Sequence, residues 1–451
     1  MLKPLSLLLL AFIAVFTTNA QENIPYSRFG LGEIQETDFI TNRAMGGLSS
    51  TFNDAYRVNF TNPASYSSLK YTSFETALSV NFSTIKDKTN TLQSSDAFIP
   101  YMVLGLPLAK WWGTSFGLMP YSKVSYDIEN ITANTVLDSI TYRFKGKGRL
   151  NRLFWGNGFR LFNIDKTYID TIQVDSLITK LKYQRHSLSA GYNLSYLFGS
   201  LDYTNFTLFK DINTFDLRNT NSTSLGNVIW NAGLQYKLGL GKRTNLTLGL
   251  SGQTAIKIKP QRTELWERVS VGTFNILIED TTSSIDTSGT ITLPMTINAG
   301  IQLKTTNKKG ATWLIGTNFK YTQWSKFKSI DNIDTSFTNN YRFSIGGAFF
   351  PKREVKKYFS NMVYNFGIHY GTSKLKLNNF QDSEYGMNFG VVMFIKNPNL
   401  SSLPKFVSQI SITFELGKKG NINKSLISEN YFRILTGFTL NDKWFVKRKF
   451  N

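Results

Sequence analysis

From position 71 onward, the chain consists of short segments in which apolar residues alternate with small or polar ones. In HSLSAGYNLSYLFG, residues 186–199, every second position from Leu188 to Phe198 is apolar, and mostly serine, glycine and asparagine lie between them. This period of two is typical of β-strands with one apolar face. We predict strands near 71–83, 98–108, 112–127, 138–148, 186–199, 217–238, 246–259, 291–303, 311–324, 341–350, 362–371, 384–395, 407–416 and 431–440. Fourteen strands satisfy the even number of a single-chain bacterial barrel.

The first twenty residues, MLKPLSLLLLAFIAVFTTNA, predict export from the cytoplasm. A basic start, an apolar run and small residues at the end indicate a signal peptide cleaved near Ala20. A membrane anchor is the alternative, but the run from Leu5 to Phe16 is shorter than the ~20 residues that a spanning helix needs. The chain has no cysteine, which excludes disulfides. A soluble periplasmic protein, a secreted protein and an outer-membrane barrel remain open.

The aromatic content favours the barrel among these classes. Phe, Tyr and Trp make up 14% of the residues, and barrels use them in girdles at both membrane interfaces. A soluble β-sandwich array, the alternative, would not need so many. We therefore predict an all-β protein, a fourteen-stranded antiparallel transmembrane β-barrel spanning 71–440.

The lengths of the connections give a second indication, because outer-membrane barrels have short periplasmic turns and longer outer loops. The connections predicted to be periplasmic are mostly short: 109–111, 240–245, 305–310, 351–361 and 396–406. The predicted outer loops are mostly longer: 84–97, 200–216, 260–290, 325–340, 372–383 and 417–430. Residues 149–185 break this rhythm, and we expect an elaborated periplasmic segment there, with a short helix.

Basic residues are concentrated in the segments predicted to face the periplasm. The last four of those short turns and the basic tail 441–451 hold fourteen Lys and Arg, against only Glu354 and Asp442. Such a rim would attract anionic outer-membrane lipids or an acidic partner protein. Alternatively, these side chains only keep the turns soluble. Nucleic-acid binding is not expected, because the basic residues are dispersed and the chain is exported.

No motif for catalysis stands out. The two histidines, His186 and His369, have no neighbouring pattern that would fix a Ser–His pair, and no Cys/His spacing indicates a metal site. The acidic pair Glu279-Asp280 falls in a predicted outer loop, where solvated charge is the simpler interpretation. We expect no enzyme activity, no metal and no cofactor.

Several segments, in order along the chain, resemble the long-chain fatty-acid porin (FadL/TodX) family of outer-membrane proteins. RAMGGLSSTFNDAYRVNFTNPASYSSL is similar to its N-terminal hatch region, whose hallmark is NPA, and GLMPYSKVSY and KGRLNRLFWGNGFRLF resemble its third strand and the segment after the fourth. LPMTINAGI, NFKYTQWSKF and YRFSIGGAFFP resemble later strands, and the C-terminus looks like that of Bacteroidetes-type barrels. The resemblance implies a fourteen-stranded barrel, with residues 21–70 folded inside it as a hatch.

The NPA tripeptide, Asn62, Pro63 and Ala64, is the main candidate site. Proline fixes its own φ and restricts the preceding residue, and an asparagine side chain can hydrogen-bond nearby backbone. We predict a rigid elbow that sets hatch geometry and gating, with Gly46, Gly47 and Phe52 as weaker candidates. A generic strand-entry turn is the alternative.

Two functions are compatible with these features. The first is passive uptake of small hydrophobic compounds, such as fatty acids, past the hatch; this is what the resemblance implies. The second is a non-transporting accessory barrel that docks to other outer-membrane or periplasmic proteins in a secretion or protein-assembly complex. The basic periplasmic rim and residues 149–185 would then be its contacts.

Overall fold

A computed structural model describes residues 24–134, 138–170, 179–210, 214–272, 276–330, 336–352, 358–377, 379–396, 406–422 and 427–444. The predicted signal peptide and the end of the tail lie outside these residues. The strands are β1 Glu33–Ile34, β2 Thr72–Lys86, β3 Thr91–Phe98, β4 Met102–Pro107, β5 Trp112–Asn134, β6 Asp138–Asp170, β7 Thr179–Phe209, β8 Asp216–Gly239, β9 Thr244–Gln253, β10 Ile256–Ile258, β11 Gln261–Val271, β12 Ile276–Ser288, β13 Ile291–Leu293, β14 Thr296–Thr306, β15 Thr312–Thr322, β16 Asn340–Phe350, β17 Met362–Leu377, β18 Phe380–Lys396, β19 Phe406–Gly420 and β20 Ser428–Asp442.

Among the described residues, helical structure is limited to short elements. One α-helix, α1, spans Ile40–Ala44, and 3-10 turns span Pro25–Arg28, Pro63–Ser68, Trp324–Lys326 and Phe359–Asn361. None of the described helices is long and apolar enough to cross a membrane.

The strands close into an antiparallel barrel, because the first wall strand, β2, pairs with the last, β20, along its whole length from Thr72↔Asp442 to Lys86↔Ser428. Three of the wall strands are each divided into shorter strands. One consists of β3 and β4, another of β9, β10 and β11, and the third of β12, β13 and β14. Counted in this way, the barrel has fourteen wall strands, and the predicted fold class is confirmed.

The period-two pattern is explained by the two faces of this wall. In β2, Phe74 and Phe82 are exposed on the outer face, whereas Glu75, Ala77 and Ser79 are buried on the inner one. Apolar outward residues alternate in the same way in most strands and form the surface for lipid.

An aromatic cluster lies at the end of the barrel that the sequence predicts to be periplasmic. Trp111, Trp112 and Phe159 stack with centroid distances of 6.0 to 6.1 Å. The Arg160 amide donates to the Trp111 carbonyl at 2.7 Å, so position 160 lies level with the short turn between β4 and β5.

The expected short helix within residues 149–185 is absent from the parts that the structure describes, and residues 149–159 belong to the wall instead of to a connection. Residues 149–170 continue β6, residues 179–185 begin β7, and neither part contains a helix. Beyond Arg160, β6 pairs only with β7, and β7 pairs with β8 only from His186 onward. Residues 160–164 of β6 pair with residues 186–189 of β7, which also pair with β8, so residues 160–164 are a free edge of the wall sheet. Residues 165–170 and 179–185 pair only with each other and form a two-stranded ribbon, the periplasmic ribbon, roughly 20 Å long at ~3.3 Å per residue.

The predicted outer loops 84–97 and 260–290 are also largely strand. β2 and β3 turn tightly at 87–90, and β11 and β12 form a long hairpin. Glu279 and Asp280 therefore lie in a strand instead of a loop. The outer part of the barrel is consequently taller on the side of β5 to β8, β11 and β12.

Residues 24–70 lie across the inside of the barrel. The turn Pro63–Ser68 contacts β4 to β8, and α1 contacts β17 to β20 on the other side. Three apolar clusters join this segment to the wall, centred on Leu31, on Tyr66 and on Leu48. We call residues 24–70 the hatch from here on.

Candidate functional site

Asn62 lies at the centre of the hatch and is fully buried. Its side-chain oxygen accepts a hydrogen bond from the Ala64 amide at 3.2 Å, which caps the 3-10 turn that begins at Pro63. Its side-chain amide donates to the Ser50 carbonyl at 2.6 Å and to the Leu234 carbonyl of β8 at 3.1 Å. One side chain thus joins two parts of the hatch to the barrel wall.

Pro63 and Ala64 approach the wall at backbone distance. A Cβ atom at Gly191 would lie 2.5 Å from the Pro63 carbonyl carbon and 2.6 Å from the Ala64 nitrogen. Gly158, which pairs directly with Gly191, faces the Pro63 carbonyl oxygen in the same way. The elbow therefore fits only where the wall has no side chain.

The same arrangement recurs around the barrel. In twelve of the fourteen wall strands, one glycine faces the hatch so closely that a Cβ atom would meet it: Gly105, Gly113, Gly158, Gly191, Gly233, Gly249, Gly300, Gly316, Gly346, Gly367, Gly390 and Gly437. Several are direct cross-strand partners, such as Gly113↔Gly158 and Gly316↔Gly346. We call this set the glycine belt.

Of the weaker candidates, Gly46 and Gly47 lie beside β16 and β17, across the hatch from Asn62, whereas the Phe52 carbonyl accepts from Gln235 of β8 at 3.2 Å, close to Asn62. Gly46 and Gly47 follow α1 with φ of 72° and 97°, where a residue with a Cβ would be strained. A Cβ atom at Gly46 would also lie 2.8 Å from the Ile368 carbonyl oxygen of β17. Phe52 is buried in the cluster with Leu48 and Leu314. These positions shape the fit of the hatch, and their part in gating stays a prediction.

Arginine side chains of the hatch also bind it to the wall through ion pairs and hydrogen bonds that the sequence did not indicate. Arg43 contacts Glu415 at 3.0 Å, and the same buried carboxylate contacts Arg433 at 3.3 Å. Arg57 donates through Nε to Gln409 at 2.8 Å. The partners of Arg43 and Arg57 lie more than 350 residues away in the chain, so no sequence spacing could have revealed these contacts.

A second set of ion pairs holds residues 24–37, the outer part of the hatch. Glu36 pairs with Arg342, and Glu33 lies 3.0 Å from Lys419 and 4.0 Å from Lys374. Burial alone would raise the pKa of Glu33, but Lys419 and Lys374 hold this pKa below its usual value. The carboxylate of Glu33 is therefore charged at neutral pH.

A cavity of about 240 Å³ remains between the hatch and the wall, with both charged and apolar residues around it. Arg152 lines it and is 5% exposed, and its guanidinium lies 5.0 and 4.9 Å from the ring centroids of Phe60 and Tyr121. Its Nε has no hydrogen-bond partner among the described residues, nor has the hydroxyl of Ser251 on the same cavity. Chemically, this arrangement could accept a small molecule with an acidic group.

The wall itself has a gap on its outer half. β3 pairs with β2 but not with β5, and the pairing of β5 with β6 is irregular at Tyr121. The hatch strand β1 pairs with β5 at Lys123, which also contacts Asp96 of β3 at 3.2 Å across the gap. A cavity of about 130 Å³ opens there and shares Glu33, Ile34 and Glu36 with the lumen cavity.

The histidines make structural contacts. His369 is 4% exposed, and its ring nitrogens contact Asn388 at 3.2 Å and Tyr431 at 3.3 Å. His186 contacts the Tyr236 hydroxyl at 2.7 Å, at the base of the periplasmic ribbon. Within the described chain, no serine is hydrogen-bonded to either ring, so neither forms the pair that a hydrolase needs.

A closed fourteen-stranded barrel with an apolar outer face and a segment folded into its lumen is an outer-membrane β-barrel protein. Solved structures with this fold include the CymD monoaromatic hydrocarbon channel, 13% identical, with a TM-score of 0.51 over 92% of this chain and 99% of that one. The Ralstonia pickettii toluene transporter TbuX is 14% identical, with a TM-score of 0.52 over 90% and 99%. A Pseudomonas aeruginosa FadL homologue is 12% identical, with a TM-score of 0.52 over 90% and 98%. At these identities the likeness concerns the fold.

The family itself is shown by a sequence model that matches residues 1–167 and 175–451. The chain belongs to the BamG family. No curated protein matches the sequence significantly. The resemblance to the FadL/TodX proteins is thus supported for the fold, while the family carries a different name.

Proposed function

We propose that this protein is a plugged accessory barrel, which serves an outer-membrane assembly as a docking subunit instead of as a pore. The glycine belt is the observation that carries this proposal. It brings the hatch directly against wall backbone in twelve strands, and close packing of this kind resists displacement. The chain would reach the membrane after cleavage near Ala20, as the sequence predicts.

The periplasmic ribbon is the contact surface that we propose for the partner. It projects past the aromatic cluster at Trp111 and Trp112, and both of its edges are unpaired among the described residues. Leu161, Phe162 and Ile164 are 59%, 42% and 54% exposed near its base. Exposed apolar residues on a free strand edge beside the ribbon favour a protein partner, and the basic periplasmic turns favour acidic surfaces or lipid head groups around it.

Gentle extraction followed by native mass spectrometry tests this proposal. We expect a stoichiometric complex with another outer-membrane or periplasmic protein. The triple variant Leu161→Ser, Phe162→Ser and Ile164→Ser should lose the partner while the barrel still shows a heat-dependent shift in gel mobility. Ile131→Ser, on a residue that is 68% exposed at the outer end of β5, is the control and should keep the complex. A lone barrel in all three samples would refute the proposal.

A second candidate function is passive uptake of a small hydrophobic compound, as the resemblance implies. The gap between β3 and β5 and the cavity beside Arg152 support it, as does the fold shared with proteins described as hydrocarbon channels. The route would require the outer part of the hatch, residues 24–37, to shift away from the gap. Uptake of a fluorescent fatty acid into proteoliposomes tests it, with Arg152→Met expected to reduce uptake and Arg149→Met, at the gap, as a comparison.

A further inference from the structure

The hairpin of β11 and β12 stands above the membrane. β8 leaves the periplasmic end of the barrel at Gly239, and a strand crosses the bilayer in ~9–11 residues. β11 pairs with residues 216–224 of β8, which lie beyond that span on the outer side. The hairpin is therefore in water at the cell surface.

β12 is the edge of this outer sheet. It pairs with β11 on one side, and none of the described residues pairs with its other side, since β14 pairs with β9 and β15. Nearly every residue of β12 is exposed, on both faces of the strand. An edge of this kind presents unpaired backbone groups to which another strand can add.

Apolar side chains accompany the free backbone. Leu277, Ile278 and Ile285 of β12 are 56%, 56% and 52% exposed, and Trp266 of β11 is 44% exposed. These residues are surrounded by solvent, since the strand lies beyond the lipid-facing band. Exposed apolar residues clustered at a free strand edge mark an interaction site.

The charge of the strand indicates which partner fits. β12 contains Glu279, Asp280 and Asp286 and no basic residue, in a chain whose formal net charge is +21. Antiparallel pairing of two copies of β12 would place like charges near one another, which is destabilising. A strand that carries lysine or arginine would complement it.

Two irregularities set the register in which a partner could pair. Glu279 and Thr282 have no opposite residue in β11, so they are bulges in β12. Residues 283–288, between the second bulge and the end of β12, pair with β11 without interruption and are the longest regular run in the strand. The acidic pair at 279–280 then lies beside that run, in reach of long basic side chains.

We infer that β12 docks a partner protein of the cell surface by strand addition, and that the partner strand carries lysine or arginine residues. This goes beyond the proposed accessory function, because it concerns the outer face and needs no periplasmic contact.

Site-specific photo-crosslinking on intact cells tests this inference. A benzoylphenylalanine replaces Ser284, which is exposed within the regular run, and the same residue at Ile131 serves as the control position. We expect an adduct from position 284 whose crosslinked peptide maps to a lysine- or arginine-bearing extended segment of one surface protein. Position 131 should give no such adduct.

Charge reversal supplies the decisive comparison. Glu279→Lys combined with Asp280→Lys should lower the adduct yield at least tenfold, while Glu129→Lys, on the opposite edge of the outer sheet, should leave it unchanged. An adduct between two copies of this chain, an adduct that charge reversal does not reduce, or no adduct at all would overturn the inference. The variant with serine at positions 161, 162 and 164 should retain the adduct at position 284. A failure of the periplasmic docking proposal can therefore be told apart from a failure of this one.

Discussion

Replacing Asn62 by Ala would test whether the elbow holds the hatch in the barrel. The substitution leaves the Ala64 amide without its acceptor at 3.2 Å in a fully buried position. The Ser50 carbonyl keeps the Gln235 amide at 3.0 Å as a donor, and the Leu234 carbonyl belongs to the wall ladder. The only uncompensated loss is therefore the hydrogen bond from the Ala64 amide, which is a buried donor and also caps the 3-10 turn. Losing this bond costs about 2 kcal/mol of hatch stability.

Hydrogen exchange measures this loss directly. Amides of residues 60–68 that exchange through release of the hatch should exchange roughly 30-fold faster, since about 1.4 kcal/mol corresponds to a factor of ten. Asn53→Ala is the matched control, because Asn53 is half-buried and its side chain donates only to the Thr51 carbonyl within the hatch. We expect less than a threefold change there.

The reasoning would be refuted in a specific way. If Asn62→Ala and Asn53→Ala accelerate exchange equally, the cap that Asn62 provides stabilises the hatch no more than the half-buried contact of Asn53 does. If exchange rises equally in hatch and wall strands of the Asn62 variant, the elbow stabilises the whole barrel, and the hatch is not a separable unit.

Three further predictions concern the fit and charge of the hatch. Gly191→Ala should destabilise the folded barrel by about 1–3 kcal/mol in urea titrations, because its Cβ meets hatch backbone, whereas Gly241→Ala, with nothing within 4 Å, should have little effect. Glu415→Gln should cost about 3 kcal/mol in the same assay, because it leaves Arg43 and Arg433 without their buried partner, while Glu129→Gln, half-exposed against Arg143, should cost under about 1 kcal/mol. Lys419 and Lys374 hold the pKa of Glu33 low. Ionised Glu33 therefore stabilises the hatch fully above the ordinary glutamate pKa of about 4.3, and this stabilisation is lost as the pH falls below that value. Proteolysis near residues 24–37 should increase in that pH range, and Glu33→Gln should remove the increase.

The strand count could be predicted from sequence because each wall strand repeats a local signal. One face meets lipid and the other meets the hatch or water, so the period of two persists in most strands. It fails in residues 149–158, where Leu150 and Phe154 face the hatch while Leu153 and Trp155 face outward. With apolar residues on both faces the alternation vanishes, and the pattern no longer indicates the strand that lies there.

The site could be predicted only in part for a different reason. The turn chemistry of Asn62 and Pro63 is local, and it could be inferred from the tripeptide alone. The glycine belt depends on register: Gly158 and Gly191 become neighbours only when β6 and β7 pair correctly. The partner of Arg43 lies 372 residues away, so the closed barrel, and no shorter segment, creates that contact.

The glycine belt also limits how this hatch could move. Glycine in a strand interior is unfavourable by roughly 0.5–1 kcal/mol relative to alanine, so the belt is a substantial cost that close contact with the hatch must offset. Withdrawing residues 40–66 would remove that contact and leave bare strand backbone along the lumen. Residues 24–37 lie outside the belt, and ion pairs from Glu33 and Glu36, together with the apolar cluster around Leu31, fasten them beside the gap in the wall. The Glu33 and Glu36 side chains are each 28% exposed, and partly exposed ion pairs contribute little to stability. Any opening of this barrel should therefore involve residues 24–37, while the part centred on Asn62 stays in place as wall.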